Sequence, residues 1–396
     1  MSNPSRRLRI DGPLGQIAAS YEDRLVALGY SERSVSEHRR FLADASRWLE
    51  AQGLEARDVT LETFAPLLEE RKAAGWEVFV SRRGVKPLLA HLCDLGVIEV
   101  PVHVENPLLA HYRHHLVSER GLMASTVNGY VHSAAAFLDW WATKSGASLD
   151  ALGANDVVEY MLAEARRRSG SARSVVPPLR SFLRFCFIEG VTPVALAQAV
   201  PAVANWRLSS LPRAVGPQAV EQLLSTCERS RPAGRRDFAV LKLLTRLGLR
   251  AQEIARMELC DLDWRAGELV VHGKGNCLDR LPLPVDVGTA VAEWLGVRPT
   301  GGHARAVFTR CQAPLRPIGS RAISAIVRAA CTRAGLPVMG THCLRHSTAV
   351  HLLGAGAGLV EISQVLRHRR VLTTAIYAKA DLRSLMLVAQ PWPGVA

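Results

Sequence analysis

The sequence predicts a mostly α-helical chain with one small antiparallel β-sheet: two tandem helical units followed by an α+β C-terminal domain. Three observations predict this. Apolar residues recur at helical spacing over most of the 396 residues. One stretch, Glu268-Leu-Val-Val-His, then Gly273-Lys-Gly-Asn, then Arg280-Leu-Pro-Leu, reads instead as two short strands joined by a glycine-flanked turn. The helical pattern of residues 1–100 also recurs in residues 101–200.

Residues 1–15 are polar and punctuated by Pro and Gly. From Ile17 to Trp48 the apolar positions Leu25, Val26, Leu28, Val35, Phe41, Leu42 and Trp48 keep a helical period. Gly29 breaks the first helix, and Ser31 or Ser34 is placed to cap the second. Helical pattern resumes over 61–72 and 85–95, and Gly96 and Pro101 close the unit. At an offset of 92, Gly29 matches Gly121, Ser34-Val35 matches Thr126-Val127, and Trp48 matches Trp140. Each unit is therefore expected to hold a helical hairpin, a third helix and a final amphipathic helix, although two unrelated small bundles could share such spacing. Pro201 and Pro212 bracket a stretch without periodicity, 201–216, which reads as a linker. From Pro217 helices are expected near Leu223, over 238–247, and at about 285–296, 319–334, 342–354 and 358–366. Thr373 or Thr374 is placed to cap a last helix carrying Tyr377 near its start.

Composition narrows the partners. With 49 Lys and Arg against 36 Asp and Glu, the formal net charge is +13, which favours a polyanion. No apolar run approaches the roughly 18–20 residues that cross a bilayer, and the N-terminus has no apolar signal segment. A cytoplasmic protein without a membrane partner is expected. The eight cysteines form no Cys-x-x-Cys pair. Reduced thiols are expected, with no metal site and no cofactor.

The chemistry concentrates late in the chain. His342 and Arg345 form His-x-x-Arg, His368 follows Arg345 by 23 residues, and Tyr377 follows His368 by nine. On a helix, i and i+3 share a face, so His342 and Arg345 can address one ligand. Arginine suits bidentate phosphate recognition, and a phenol is a possible nucleophile. Two cationic donors, a second His and a Tyr suggest work on a phosphodiester. A basic surface helix followed by a buried Tyr would fit these four residues as well. Upstream lie Arg250 and Glu253 in Leu-Gly-Leu-Arg-Ala-Gln-Glu-Ile, and Lys274 in the glycine-flanked turn.

The ordered set Arg250, Lys274, His342, Arg345, His368 and Tyr377 resembles the tyrosine recombinases, or phage integrase family, over about 215–380. The flanking text resembles them too, from His351-Leu-Leu-Gly-Ala-Gly-Ala to Thr373-Thr-Ala-Ile-Tyr. Ser125-Thr-Val-Asn-Gly-Tyr and Phe182-Leu-Arg-Phe in the second unit resemble that family's helical, SAM-like core-binding domain. The resemblance implies a domain plan of 1–100 (an extra helical domain), 101–200 (core-binding), 201–216 (linker) and 217–396 (catalytic). It implies a site-specific recombinase of a mobile element. Such an enzyme cleaves and rejoins DNA through a 3′-phosphotyrosyl link at Tyr377, without metal or ATP, as a homotetramer on synapsed DNA, with related recombinases as possible partners. Arg250 and Arg345 would clamp the scissile phosphate, Lys274 would protonate the leaving 5′ oxygen, His342 would act near the tyrosine proton, and His368 would bond a phosphoryl oxygen. Glu253 would orient Arg250. Type IB topoisomerase-like relaxation and a non-catalytic DNA-binding regulator are the competing classes.

DNA-contact candidates are Arg33, Arg39, Arg40, Arg82, Arg83 and Lys86 in the first unit and Arg166, Arg167, Arg168, Arg173, Arg180 and Arg184 in the second. Arg280 and Arg367 complete them. Two features depart from the family. Arg367 stands where Gly commonly precedes the second His, and Cys277-Leu-Asp precedes Arg280 where a basic residue is common. A non-Gly residue at a left-handed helix end carries about 1 kcal/mol of strain, so either the helix ends differently or Arg367 gains a phosphate contact in compensation.

Overall fold

The computed structural model describes residues 10–99, 106–146, 148–167, 172–202, 214–273, 277–299, 305–368, 374, 376 and 377. These are mostly helical, with one three-stranded antiparallel sheet, as the patterning predicts. The chain divides into two compact units, residues 1–98 with 207–396, and residues 99–206.

The N-terminal part of the first unit holds α1 (Ala18–Ala27), α2 (Glu32–Ala51), α3 (Ala65–Ala73) and α4 (Arg82–Asp94). Gly29 takes the left-handed conformation (φ +79°) that ends α1. The Ser31 hydroxyl then accepts the Ser34 N–H (3.3 Å) and caps α2. Tyr21, Phe41, Leu49, Phe64, Leu88 and Leu92 belong to a core of this part's own.

This helical bundle is fastened to the C-terminal part of its unit. Residues 308–318 fold back as a narrow loop, with the Arg310 N–H on the Arg316 carbonyl (2.9 Å) and the Ile318 N–H on the Phe308 carbonyl (3.1 Å). Leu315 near its tip donates its N–H to the Leu28 carbonyl (2.9 Å). A Cβ on Gly29 would collide with the Leu315 side chain. Gly29 is thus needed twice, for its backbone angle and for this approach.

The second unit repeats the element order with α5 (Pro107–Ser118), α6 (Ala124–Lys144), α7 (Ala154–Arg167) and α8 (Val176–Ile188). Gly121 (φ +56°) and Gly190 (φ +69°) take the left-handed turns that Gly29 and Gly96 (φ +68°) take in the first bundle. Trp48 and Trp140 each lie half-buried against their own cores.

The C-terminal part runs α9 (Pro217–Ser225), α10 (Pro232–Arg246), α11 (Ala251–Arg256), β1 (Leu262–Asp263), β2 (Glu268–His272), β3 (Leu278–Pro282), α12 (Val285–Leu295), α13 (Ser320–Arg333), α14 (Thr341–Gly354) and α15 (Leu359–Val365). The sheet order is β1-β2-β3, and Val270 faces Arg280 across the expected hairpin. Helix α10 is buried at Val240, Leu241, Leu243 and Leu244 and packs against α12 and α14. Trp294 is fully buried and its indole N–H reaches the Val307 carbonyl (2.8 Å), as a buried indole requires. Packing against α10 fixes α14, which carries His342 and Arg345.

Two short elements, α11 and β1, were not expected from the patterning. The turn with Lys274, the linker residues 203–213, Arg168 and Thr373 lie outside the described residues. Among the described residues no helix is long and apolar enough to cross a membrane.

Candidate active site

Three chain segments converge. The first is the turn between α10 and α11. Gly248 is left-handed there (φ +57°), and a Cβ on it would press on the Leu366 side chain. Arg250 follows as the residue preceding α11, and Glu253 sits one turn on. The second segment is α14, with His342 and Arg345 on one face as their spacing predicts. The third runs from the end of α15 through Arg367 and His368 to Thr374 and Tyr377.

Arg345 ties these segments together. It is 4% exposed, and its two terminal nitrogens donate to the carbonyls of Gly248 and Leu366. Thr348, one turn along α14, donates to the Thr245 carbonyl (2.9 Å). Arginine carries five N–H donors, so two carbonyl bonds still leave donors for a ligand. Burial first, then Arg250 and Arg367, lower its pKa to about 9, and it stays cationic at neutral pH.

Glu253 is the carboxylate among three guanidiniums. One of its oxygens accepts the Arg250 side chain (2.6 Å); the other accepts the Arg250 backbone N–H (2.8 Å) and the Arg367 side chain (2.7 Å). Burial pushes the Glu253 carboxyl up, but Arg367 and Arg250 outweigh it and its pKa lies below the ordinary value. Three arginines around Glu253, with Asp279 4.0 Å from Arg367, still leave an excess of positive charge that an anion would neutralise.

Tyr377 is 1% exposed, packed with Ala349, Ile362 and Leu366. The Tyr377 N–H donates to the Thr374 carbonyl (3.0 Å) in a tight turn. Burial raises the phenol's pKa to about 12 although Arg345 opposes it. Its hydroxyl lies 2.7 Å from Nδ1 of His346. His368 stacks parallel to the Tyr377 ring at 6.5 Å and bonds the Thr374 hydroxyl through Nδ1 (2.8 Å). Burial, then Arg345 and Arg250, lower the His368 pKa to about 4. His342 is exposed in the first turn of α14, and partial burial, then Arg345 and Arg250, lower its pKa as well.

The site therefore brings together Arg250, Glu253, His342, Arg345, His368 and Tyr377. Sequence reasoning missed His346. The signal was available, because His346 lies four residues after His342 and shares its helix face.

The DNA-contact candidates sort by where their charge points. Arg40, Arg83, Lys86, Arg166, Arg173 and Arg184 are exposed. Arg33 pairs with Glu37, Arg39 with Glu22, Arg82 with Glu62, Arg167 with Glu164 and Arg280 with Glu268. Arg180 turns inward and donates to the Val200 carbonyl (2.7 Å).

The sequence also matches known proteins. Residues 214–383 match the profile described as "Phage integrase family", and residues 109–190 match "Phage integrase, N-terminal SAM-like domain". The "Putative integrase/recombinase y4rA" of Sinorhizobium fredii is 37% identical over 98% of this chain and 96% of its own. The chain belongs to the phage integrase family. Tyrosine recombinase XerD of Listeria innocua is 30% identical over 69% of this chain and 93% of its own. Among solved structures, XerH site-specific recombinase bound to its palindromic difH substrate gives a TM-score of 0.56 at 18% identity, covering 72% of this chain and 84% of that one. The lambda integrase tetramer bound to a Holliday junction gives 0.53 at 16%, covering 80% and 90%. At those identities the two structures show a shared fold. As a phage integrase family member, the chain is a tyrosine recombinase, an enzyme that cleaves and rejoins DNA.

Arg367 has a different place in this recombinase from the phosphate contact its sequence suggested. It does take the left-handed conformation (φ +52°), but its side chain is 6% exposed and rests on Glu253. The strain is held by a buried ion pair rather than by an outward contact. Arg367→Gly relieves about 1 kcal/mol of backbone strain and breaks that pair, at about 3 kcal/mol. The low end applies because Glu253 keeps Arg250. The variant is expected to lose about 2 kcal/mol net. In thermal denaturation that lowers the midpoint by about 4–8 °C; a midpoint equal to or above wild type would mean that strain dominates.

Proposed function

We propose that the chain is a site-specific recombinase of a mobile element, acting through a 3′-phosphotyrosyl intermediate at Tyr377. The observation that carries this reading is the Tyr377 hydroxyl held on an imidazole beside three guanidiniums that share the Glu253 carboxylate. Arg250 and Arg345 bind the non-bridging oxygens and stabilise the charge of the pentacoordinate transition state. The phenol oxygen forms a bond to phosphorus as the bond to the 5′ oxygen breaks, and Lys274 gives that oxygen its proton. His368 bonds a phosphoryl oxygen, and His342 at the start of α14 faces the same anion. Glu253 orients Arg250. One phosphate ester replaces another, so rejoining needs no ATP, and the guanidiniums take the charge-stabilising role that a metal has elsewhere.

The domain plan that goes with this is 1–100, 101–200 and 217–396, joined through 201–216, acting in the cytoplasm as a homotetramer on two paired sites. A lambda integrase tetramer on a Holliday junction is among the fold neighbours, and integrase/recombinase is the name of a relative along nearly the full chain. The test is a nicked duplex carrying the element's end, on which the 5′ product diffuses away. A protein–DNA adduct that survives detergent and EDTA and is removed by protease is expected. No adduct on any flanking sequence would overturn the reading.

The N-terminal bundle has its own core and exposed basic side chains at Arg40, Arg83 and Lys86. A protein lacking residues 1–100 is expected to keep adduct formation at high concentration, because every proposed catalytic residue lies beyond residue 249. It should bind long target DNA more weakly and with a shallower salt slope, since fewer phosphates are neutralised. Equal footprints for the two proteins would rule out DNA contact. A loss confined to pairing of two sites would assign the bundle to protein–protein contact.

A further inference from the structure

Attack by Tyr377 requires its phenol to lose a proton, and burial makes that proton harder to lose, with the pKa raised to about 12. A neutral acceptor already in contact with the hydroxyl is therefore the group to look for. His342 is the residue that the family pattern offers. The hydroxyl instead meets His346, with Nδ1 at 2.7 Å and the two rings edge-on at 5.6 Å between centroids. His346 is half-buried on α14, one turn beyond His342 and next to Arg345. The groups facing it are His342 and Arg345 from α14, His368 from the segment after α15, and Tyr377 itself. Burial, then His342 and Arg345, keep its pKa below the ordinary value. At neutral pH the imidazole is uncharged and the phenol protonated. A neutral imidazole carries one ring proton, and the tautomer with that proton on Nε2 leaves the Nδ1 lone pair to accept the phenol O–H.

We propose that His346 is the proton acceptor for Tyr377. As the phenol oxygen bonds to phosphorus, its O–H bond breaks and the proton moves to Nδ1, leaving an imidazolium. When a DNA hydroxyl later displaces the tyrosine, the same proton returns to the phenol oxygen. Beside burial, the Arg345 charge depresses the His346 pKa in the free protein, and a bound phosphate neutralises that charge, so DNA makes the imidazole more basic where it is needed. This inference rests on the phosphotyrosyl reading above.

The test is single-turnover adduct formation on the nicked duplex. His346→Asn puts an amide oxygen near Nδ1, which keeps a hydrogen-bond acceptor and removes the base. The expected result is a loss of about 100-fold in rate with DNA affinity unchanged. His346→Ala should be equally slow and be rescued by added imidazoles, with a rescued rate that rises with the pKa of the imidazole used. If the Ala variant does not fold, the Asn variant and its pH profile decide. The wild-type rate falls as pH drops through the imidazole pKa of the complex, and the Asn variant should lose that limb. A wild-type rate in His346→Asn overturns the proposal. A slow variant with an unchanged pH profile, or rescue independent of pKa, also overturns it and leaves only positioning. If the wild-type protein itself forms no adduct, the phosphotyrosyl reading fails instead.

Discussion

Tyr377→Phe is expected to abolish the covalent protein–DNA adduct while leaving target binding intact. The substitution removes one oxygen from a ring that is otherwise held by Ala349, Ile362 and Leu366, so the packing survives. It also frees Nδ1 of His346, which is only half-buried and can bond water instead. The cost in stability is therefore about 1 kcal/mol, while the loss in adduct formation is complete within detection. The assay is the nicked duplex read on a denaturing gel, beside a binding titration. An adduct formed by the Phe variant would assign the nucleophile elsewhere.

The second large effect separates two arginines that look equivalent in the sequence. Arg250→Lys and Arg345→Lys each keep a charge and lose the planar fork. Both should slow cleavage by at least about 100-fold, a few kcal/mol of transition-state stabilisation. They should differ in stability. The Arg250 side chain is about one-third exposed and paired with Glu253, so a lysine there leaves the fold almost unchanged. Arg345 holds two buried carbonyls, of Gly248 and Leu366, and an ammonium cannot span both. Leaving one buried carbonyl unpaired costs roughly 1–3 kcal/mol. Thermal unfolding of the two variants should show a lower midpoint for Arg345→Lys alone. Equal midpoints would mean that the carbonyl bonds contribute no net stability.

Much of the fold was legible because long helices announce themselves. Helix α2 was readable from Phe41, Leu42 and Trp48 and from its Ser31 cap, and α14 from the region around His342. The hairpin β2–β3 was readable from its alternation and its glycines. Helix α11 was not, because six residues carry too little periodicity. It is fixed by the Glu253 carboxylate reaching back to the Arg250 N–H. The site was legible as a set of residue types at a given order, and the geometry adds what order cannot carry. Which histidine meets the phenol depends on how α14 is rotated against Tyr377. Whether Arg367 points to solvent or to Glu253 depends on where α11 lies. The inward turn of Arg180 toward Val200 is equally a matter of packing.

The bonds from Arg345 to Gly248 and Leu366 also set an order of events during synthesis. Their sequence separations are 97 and 21 residues. At about 5–20 residues per second, the ribosome takes roughly 6–25 s to pass from residue 250 to residue 377. Until residue 366 is added, either Arg345 or its Leu366 partner is missing, and Tyr377, the proposed nucleophile, follows eleven residues later. A half-made chain can hold nucleic acid by its charge but cannot cut it. On the phosphotyrosyl reading, the capacity to break a strand therefore arrives last, when the turn holding Tyr377 docks against α14 and α15.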